Sequence, residues 1–143
     1  MDHVAIMNPA WQLILKILSG EKTIESRWYQ TRRSPWDRVR IGDAVYFKDS
    51  GKAITVWATI SEVMQFELQD ITDARRIIDK YGTEICLVEK DPNTWKSLPK
   101  YCILMRLIHP ILLRYPFRID RTGFGSGVAW LTVPDIAIIK KDI

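Results

Sequence analysis

The stretch Gly20-Glu21-Lys22-Thr23-Ile24-Glu25-Ser26-Arg27 predicts the end of a helix followed by the start of a strand. Gly20 comes directly after an apolar helical stripe, in the position where glycine commonly ends a helix. Ile24 lies on one face of the alternating segment that follows, and the opposite face carries Thr23, Glu25 and Arg27. This polar face either lines a concave site or is a salt-bridged surface in solvent, and the spacing alone leaves both open.

The elements on either side predict an α+β fold, a small and mostly antiparallel β-barrel with two covering helices. Strands are predicted at residues 4–7, 22–28, 44–48, 53–63, 101–113 with an interruption at His109-Pro110, and 128–133. The first helix is capped by Asn8 and carries an apolar stripe of Trp11, Ile14, Leu15 and Leu18. The second begins at Asp70 or Thr72 and stops at Gly82.

Length and composition favour one packed domain over residues 1–143, with a possible insertion at residues 83–100. The chain has 143 residues, of which 47% are hydrophobic and 27% charged, a balance that excludes disorder of the whole chain. No apolar run is long enough to span a bilayer, and no signal peptide is evident. Two cysteines without a C-x-x-C motif predict no metal site, no cofactor and a cytoplasmic location.

The charges are unevenly distributed along the chain. Residues 27–40 contain five arginines and one acidic residue, a net charge of +4, whereas residues 61–91 carry a net charge of −4. Residues 106–121 return to a net +3. This uneven charge distribution favours an anionic partner such as RNA, single-stranded nucleic acid or a nucleotide, and not a membrane. A merely solvated surface explains the charge equally well.

The loop after the polar strand interleaves aromatic rings with guanidinium groups. Its residues are Trp28, Tyr29, Arg32, Arg33, Trp36, Arg38 and Arg40. Rings can stack on unpaired bases, for about 1–3 kcal/mol each, while Arg32, Arg33 and Arg38 follow the phosphates. Trp36 is equally compatible with packing in the core, and Trp28, on the same face as Ile24, is predicted to be a core or barrel-rim residue. The remaining tryptophans, including Trp11 and Trp95, are predicted to be packing or rim residues.

A glycine-rich segment follows Arg121 later in the chain. Gly123, Gly125 and Gly127 are spaced so that exposed amides can cradle an anion. No helix pattern follows them, which excludes a P-loop or dinucleotide fingerprint and favours a tight turn at the barrel rim.

Two motifs resemble the ASCH domain, a branch of the PUA-like barrel superfamily. They are Gly20-x-Lys22-Thr23-Ile24-Glu25-x-Arg27 and Ile41-Gly42-Asp43-x-Val45-x-Phe47. The resemblance implies a PUA-like β-barrel with a cleft beside the first motif that binds RNA or nucleotides. It therefore implies binding roles for Lys22, Thr23, Glu25 and Arg27, with Arg121, Gly123 and Gly125 at the rim.

The resemblance also implies an enzymatic alternative. Some small members hydrolyse N4-acetylcytidine with the motif lysine, a threonine three positions later and a distant glutamate. Lys22 matches the lysine, Glu25 occupies the threonine position, and no glutamate after Val63 matches the third residue. In this alternative, or in a nuclease using the same cleft, Lys22 and Glu25 are the catalytic residues. A protein-interaction module is a further alternative.

Overall fold

In the computed structural model, which describes residues 1–141, the chain folds into seven strands and two α-helices. The strands are β1 (Asp2–Met7), β2 (Ile24–Tyr29), β3 (Ala44–Asp49), β4 (Ile54–Glu67), β5 (Tyr101–Ile119), β6 (Trp130–Val133) and β7 (Lys140–Lys141). The α-helices are α1 (Leu13–Ser19) and α2 (Ile71–Ile85). Short 3-10 turns span Pro9–Trp11, Pro92–Thr94 and Ile136–Ile138. None of the helices within residues 1–141 has both the length and the apolar character needed to cross a membrane.

The strands form one sheet in the order β2-β5-β4-β3-β1-β6, and β7 extends it at β5. β1 and β3 pair in parallel, while the other pairs are antiparallel. β2 and β6 stand at the two ends of this path, so the sheet forms a half-barrel whose terminal strands are not paired with each other. The predicted α+β class, mostly antiparallel with two helices, is confirmed.

The inside of the half-barrel is filled by apolar side chains from alternate strand positions. Its fully buried members include Ala5, Val45, Phe47, Val56, Ala58, Ile60, Ile103 and Met105. α1 covers this core through Leu13, Ile14 and Ile17. The helices and the hydrophobic interior thus hold β2 and β6 in fixed positions at the open side.

The predicted apolar stripe of the first helix is confirmed at Ile14 and Leu18, which pack in or against the core, and is wrong at Trp11 and Leu15. Gln12 adopts a left-handed backbone conformation (φ 54°), which ends the 3-10 turn at Pro9–Trp11 and starts α1 anew at Leu13. The apolar stripe is therefore not continuous from Trp11 onward. Trp11 and Leu15 are exposed, while Leu13 and Ile17 take the buried positions.

The predicted end of the second helix is also wrong, although its cap at Asp70 is confirmed. The Asp70 side chain accepts from the Thr72 N–H, and α2 continues through Gly82 to Ile85. Gly82 is buried, and a Cβ there would lie 3.3 Å from Ile78 Cγ2, so close packing explains the glycine. Cys86 takes the left-handed conformation that ends the helix.

β5 is not interrupted at His109-Pro110 as predicted. The strand runs through to Ile119, and His109 takes a positive φ of 54°. The register with β4 shifts at this point, between Trp57 and Thr59. A bulge therefore accommodates the proline, which has no N–H for the ladder.

A buried histidine joins β1, β6 and the turn before β3. His3 is fully buried, and its Nε2 lies 2.8 Å from Asp43 Oδ2. Its Nδ1 lies 3.2 Å from Trp130 Nε1 and 3.0 Å from Thr132 Oγ1. An indole N–H can only donate, so Nδ1 is the acceptor and Nε2 carries the proton donated to Asp43. His3 is thus held as the neutral imidazole.

This arrangement predicts a loss of stability in mild acid. Burial lowers the pKa of His3 below its ordinary value, although Asp43 acts in the opposite direction. The unfolded chain takes up the proton near pH 6.5 and the folded protein only at lower pH, so the free energy of unfolding falls as the pH drops below about 6.5. In urea titrations from roughly pH 7.5 to 5.5, His3→Gln should show a smaller decrease than the unsubstituted protein.

The exposed His109 supplies the control. His109→Asn removes the other imidazole and should retain the full decrease. A His3→Gln protein that loses as much stability over this range as the unsubstituted protein would contradict the assignment.

Candidate functional site

Arg27 spans the open side of the half-barrel. It extends from β2 to the opposite edge, where Nη1 donates to the Ala129 carbonyl (3.3 Å) and Nη2 to the Ile6 carbonyl (3.5 Å). Its guanidinium also lies over the Trp130 ring, 5.2 Å from the centroid. One side chain therefore replaces strand pairing between β2 and β6 and leaves hollows on either side of itself.

Lys22 is buried next to Arg27, at 2% exposure, and all three of its N–H groups have acceptors. Nζ donates to the Ile24 carbonyl (2.9 Å), the Ile85 carbonyl (2.5 Å) and Glu25 Oε1 (3.2 Å). An ammonium has three donors, so none is left for a ligand. Lys22 therefore holds the end of α2 against β2 and orients Glu25.

Glu25 is the acidic centre of the network, at 3% exposure. Oε1 accepts from the Ser26 N–H (3.0 Å) in addition to Lys22, and Oε2 accepts from Arg27 Nη2 (3.2 Å). Burial alone would raise the pKa of Glu25, but the charges of Lys22 and Arg27 outweigh it and hold the pKa below its ordinary value. A carboxylate offers roughly four acceptor positions, so one remains on Oε2.

Two adjoining hollows open above this network. The first, the polar hollow, has a volume of about 320 Å³ and is lined by Asn8, Lys22, Glu25, Ser26 and Arg27. The second, the aromatic hollow, has a volume of about 450 Å³ and is lined by Trp11, Trp28, Tyr29 and Trp95. Trp11, Trp28 and Tyr29 line both hollows, which therefore form one cleft.

The aromatic walls of the cleft are held in place by hydrogen bonds. Trp28 meets Trp95 edge to face, with centroids 5.1 Å apart. Trp28 Nε1 donates to Ser26 Oγ (3.0 Å), and Trp95 Nε1 donates to the Glu89 carbonyl (3.0 Å). Trp11 is 46% exposed and closes the opposite side. The segment 83–100 thus ends α2 and supplies one wall of the cleft.

A further hollow, the arginine hollow, lies on the other side of Arg27. Its volume is about 380 Å³. Its polar lining consists of Arg27, Arg33, Arg38, Ser34 and Thr132 together with Tyr29. Arg27 and Tyr29 border the polar hollow as well, so the two hollows share a wall.

The structure brings together some predicted site residues and separates others. Lys22, Glu25 and Arg27 meet as predicted, whereas Thr23 does not line these hollows and donates its hydroxyl to Glu84 (3.3 Å). The reason is that β2 begins at Ile24, so Thr23 lies outside the strand alternation. Its predicted place beside Glu25 and Arg27 is therefore wrong.

Arg32 and Trp36 also lie outside the cleft. Arg32 forms an exposed ion pair with Glu67, and its guanidinium is 5.4 Å from the Tyr101 ring. Trp36 packs against the barrel core and meets Tyr101 edge to face at 5.0 Å. Of the predicted aromatic and arginine residues, Trp28, Tyr29, Arg33 and Arg38 line a hollow.

The glycine-rich segment forms a turn at the rim. Arg121 Nη2 donates to the Val128 carbonyl (2.6 Å) and closes the turn, while Gly123 and Gly125 adopt positive φ angles of 90° and 85°. Neither glycine lines the three hollows; Phe124 reaches the arginine hollow from this turn. An anion cradle there stays a prediction.

Sequence reasoning placed Trp11 in the apolar stripe of a helix, did not assign Trp11 or Trp95 to the site, and gave no role to Thr132. The sequence does contain a signal for Trp11. Pro9 lies two residues before it, and this spacing is compatible with a short 3-10 turn that is separate from the helix. No local pattern marks Trp95 or Thr132. They reach the site through contacts with Trp28 and His3, far away in the sequence.

Solved structures share this fold, while no protein-family model and no curated protein matches the sequence. The ASCH protein of Zymomonas mobilis is similar with a TM-score of 0.67 and 17% identity over 98% of this chain and 96% of that one. A variant of the same protein gives a TM-score of 0.69 and 18% identity over 96% of this chain and 93% of that one. The N-terminal domain of Staphylothermus marinus McrB gives a TM-score of 0.54 and 15% identity over 92% of this chain and 87% of that one. The chain therefore has the ASCH-type, PUA-like fold that the resemblance implied.

The Lys22–Glu25 pair predicts a large stability change when it is broken. Lys22→Met leaves Glu25 with one cationic partner and two main-chain carbonyls without a donor, and should reduce the free energy of unfolding by about 3–5 kcal/mol. Equilibrium urea unfolding measures this change. Lys22→Met/Glu25→Gln should be more stable than Lys22→Met alone, because the buried charge has been removed. Lys52→Met, at an exposed lysine, is the control; a Lys22→Met protein as stable as this control would contradict the role of Lys22.

Proposed function

We propose that the protein binds RNA or a nucleotide, with a nucleobase in the cleft formed by the polar and aromatic hollows. The observation that carries this proposal is the combination of indole walls with a buried carboxylate and guanidinium at one end. Aromatic faces accept any base by stacking, and paired donor and acceptor groups distinguish one base edge from another.

The aromatic end supplies the stacking surface. Trp11 is exposed, and Trp28 is fixed by Ser26 and Trp95, so one indole is accessible and the other is rigid. Rigid rings lose little conformational entropy when a ligand binds. A base entering between these walls gains stacking contacts without rearrangement of the core.

The polar end supplies a donor and an acceptor side by side. Glu25 Oε2 retains one acceptor position, suited to an exocyclic amino group. Arg27 has five N–H donors, and three of them bond to the Ala129 and Ile6 carbonyls and to Glu25, so a further Nη N–H remains for a ligand. Unpaired bases expose such amino and carbonyl groups on their edges. The two side chains therefore match a base edge that both donates and accepts.

The geometry favours binding over hydrolysis by Lys22. A lysine acting as a base or proton donor must reach the substrate with Nζ, yet all three N–H groups of Lys22 are bonded to Ile24, Ile85 and Glu25. Lys22 supports the cleft from behind.

Trp11 is the most direct test of the binding surface, because it lines the cleft and is absent from the buried core. In fluorescence anisotropy titrations with a labelled single-stranded RNA pool at low salt, Trp11→Ala should weaken binding by roughly 10-fold, the loss expected for one stacked base. Binding should also weaken with increasing salt.

Tyr115→Ala removes an aromatic ring that is 74% exposed and lies outside the cleft, and should leave the affinity unchanged. Equal affinities of Trp11→Ala and Tyr115→Ala would contradict the position of the site. A protein that binds no RNA pool and no nucleotide at low salt would contradict the function itself.

A further inference from the structure

The arginine hollow has the composition of an anion site. Arg27, Arg33 and Arg38 line it, and no aspartate or glutamate is among its lining residues. Three guanidinium groups around one concave surface repel each other unless an anion lies between them. Planar guanidinium donors bind phosphate oxygens with two parallel hydrogen bonds.

Among residues 1–141, Arg33 and Arg38 form no ion pair with a carboxylate, as is also true of Arg40, Arg114, Arg118 and Arg121; unlike those four, they line the arginine hollow. Within residues 1–141, Arg27, Arg32, Arg75, Arg76 and Arg106 all form ion pairs. Arg33 instead lies over the Tyr29 ring, 4.3 Å from the centroid, and Arg38 is exposed. Their donors are therefore available to a ligand in the arginine hollow.

The arginine hollow adjoins the cleft. Tyr29 lines all three hollows, Arg33 lines the aromatic and arginine hollows, and Arg27 separates the polar from the arginine hollow. When the base of a ligand stacks on Trp28, the rest of the ligand can therefore extend past Tyr29 and Arg33 into the arginine hollow.

Thr132 adds an acceptor to this cationic hollow. The Trp130 N–H already fixes His3 Nδ1 as an acceptor, so the Thr132 hydroxyl can bond to it only as a donor. The proton of Thr132 points at His3, and the oxygen lone pairs remain for a donor on the ligand. A ribose 2′-hydroxyl is such a donor and is absent from DNA.

We infer that the arginine hollow binds the sugar-phosphate of the ligand whose base occupies the cleft, with the phosphate on Arg33 and Arg38 and a ribose hydroxyl on Thr132. This inference rests on the proposed function. If both contacts form, the ligand is a phosphorylated ribonucleotide, within a strand or alone, and not a free nucleoside. Arg32, in the same loop, takes no part because Glu67 pairs with it.

The phosphate contact is tested by fluorescence anisotropy with a labelled single-stranded RNA pool and variants that remove arginine charges. Arg33→Gln/Arg38→Gln should lower the affinity at least 10-fold and reduce the slope of log K against log salt by about 0.7 for each phosphate that is no longer neutralised. Arg32→Gln, which removes a charge from the same loop, should stay within about twofold of the unsubstituted protein. If the double variant binds like Arg32→Gln while Trp11→Ala binds weakly, the phosphate assignment is wrong and the base cleft stands.

The ribose is tested with RNA and DNA of the same sequence. The unsubstituted protein and Thr132→Ser should prefer RNA, and Thr132→Val should lose this preference while keeping the same thermal unfolding midpoint within a few degrees. An RNA preference unchanged in Thr132→Val would overturn the ribose contact. Failure of the unsubstituted protein to bind either polymer would instead overturn the proposed function on which this inference rests.

Discussion

The structure depends on the charged side chains that bridge the open side of the half-barrel. Two unpaired sheet edges face each other there, and their carbonyl groups need donors. Arg27 supplies them to Ile6 and Ala129 and Lys22 to Ile24, and Lys22 also donates to Ile85 at the end of α2. Burying two cations is costly, but Glu25 between them lowers the cost and keeps its own charge. Side chains therefore do what a strand pair does elsewhere in the sheet, and they leave room for a cleft.

The position of every hollow follows from this bridge. Lys22 fixes the end of α2, from which the chain continues to Leu87, Val88 and Trp95 on the cleft wall. Arg27 forms the partition between the polar and arginine hollows, and its stacking on Trp130 connects it to His3 and Thr132. The surface proposed to contact the base and the surface proposed to contact the phosphate therefore lie on either side of the Arg27 side chain.

The sequence predicts the local features well and the long-range ones poorly. The alternation that carries Glu25 and Arg27, the glycine that ends α1 and the cap at Asp70 all arise from neighbouring residues, and the structure confirms them. Single backbone conformations at Gln12 and His109 shifted the buried face of α1 and allowed β5 to pass a proline. Arg32 and Arg33 look alike in the sequence, and they differ because Glu67, 35 positions away, pairs with the first. Trp95 and Thr132 have no local signal because partners distant in sequence create their roles.

The proposed binding site is the cleft beside Arg27 together with the arginine hollow. A crystal structure of the protein with a short single-stranded oligoribonucleotide would show whether the ligand binds there. We expect one base between Trp11 and Trp28, its edge at Glu25 and Arg27, and the adjoining phosphate beside Arg33 and Arg38. An oligonucleotide bound on another face, with these side chains unchanged and both the cleft and the arginine hollow empty, would contradict the proposed site.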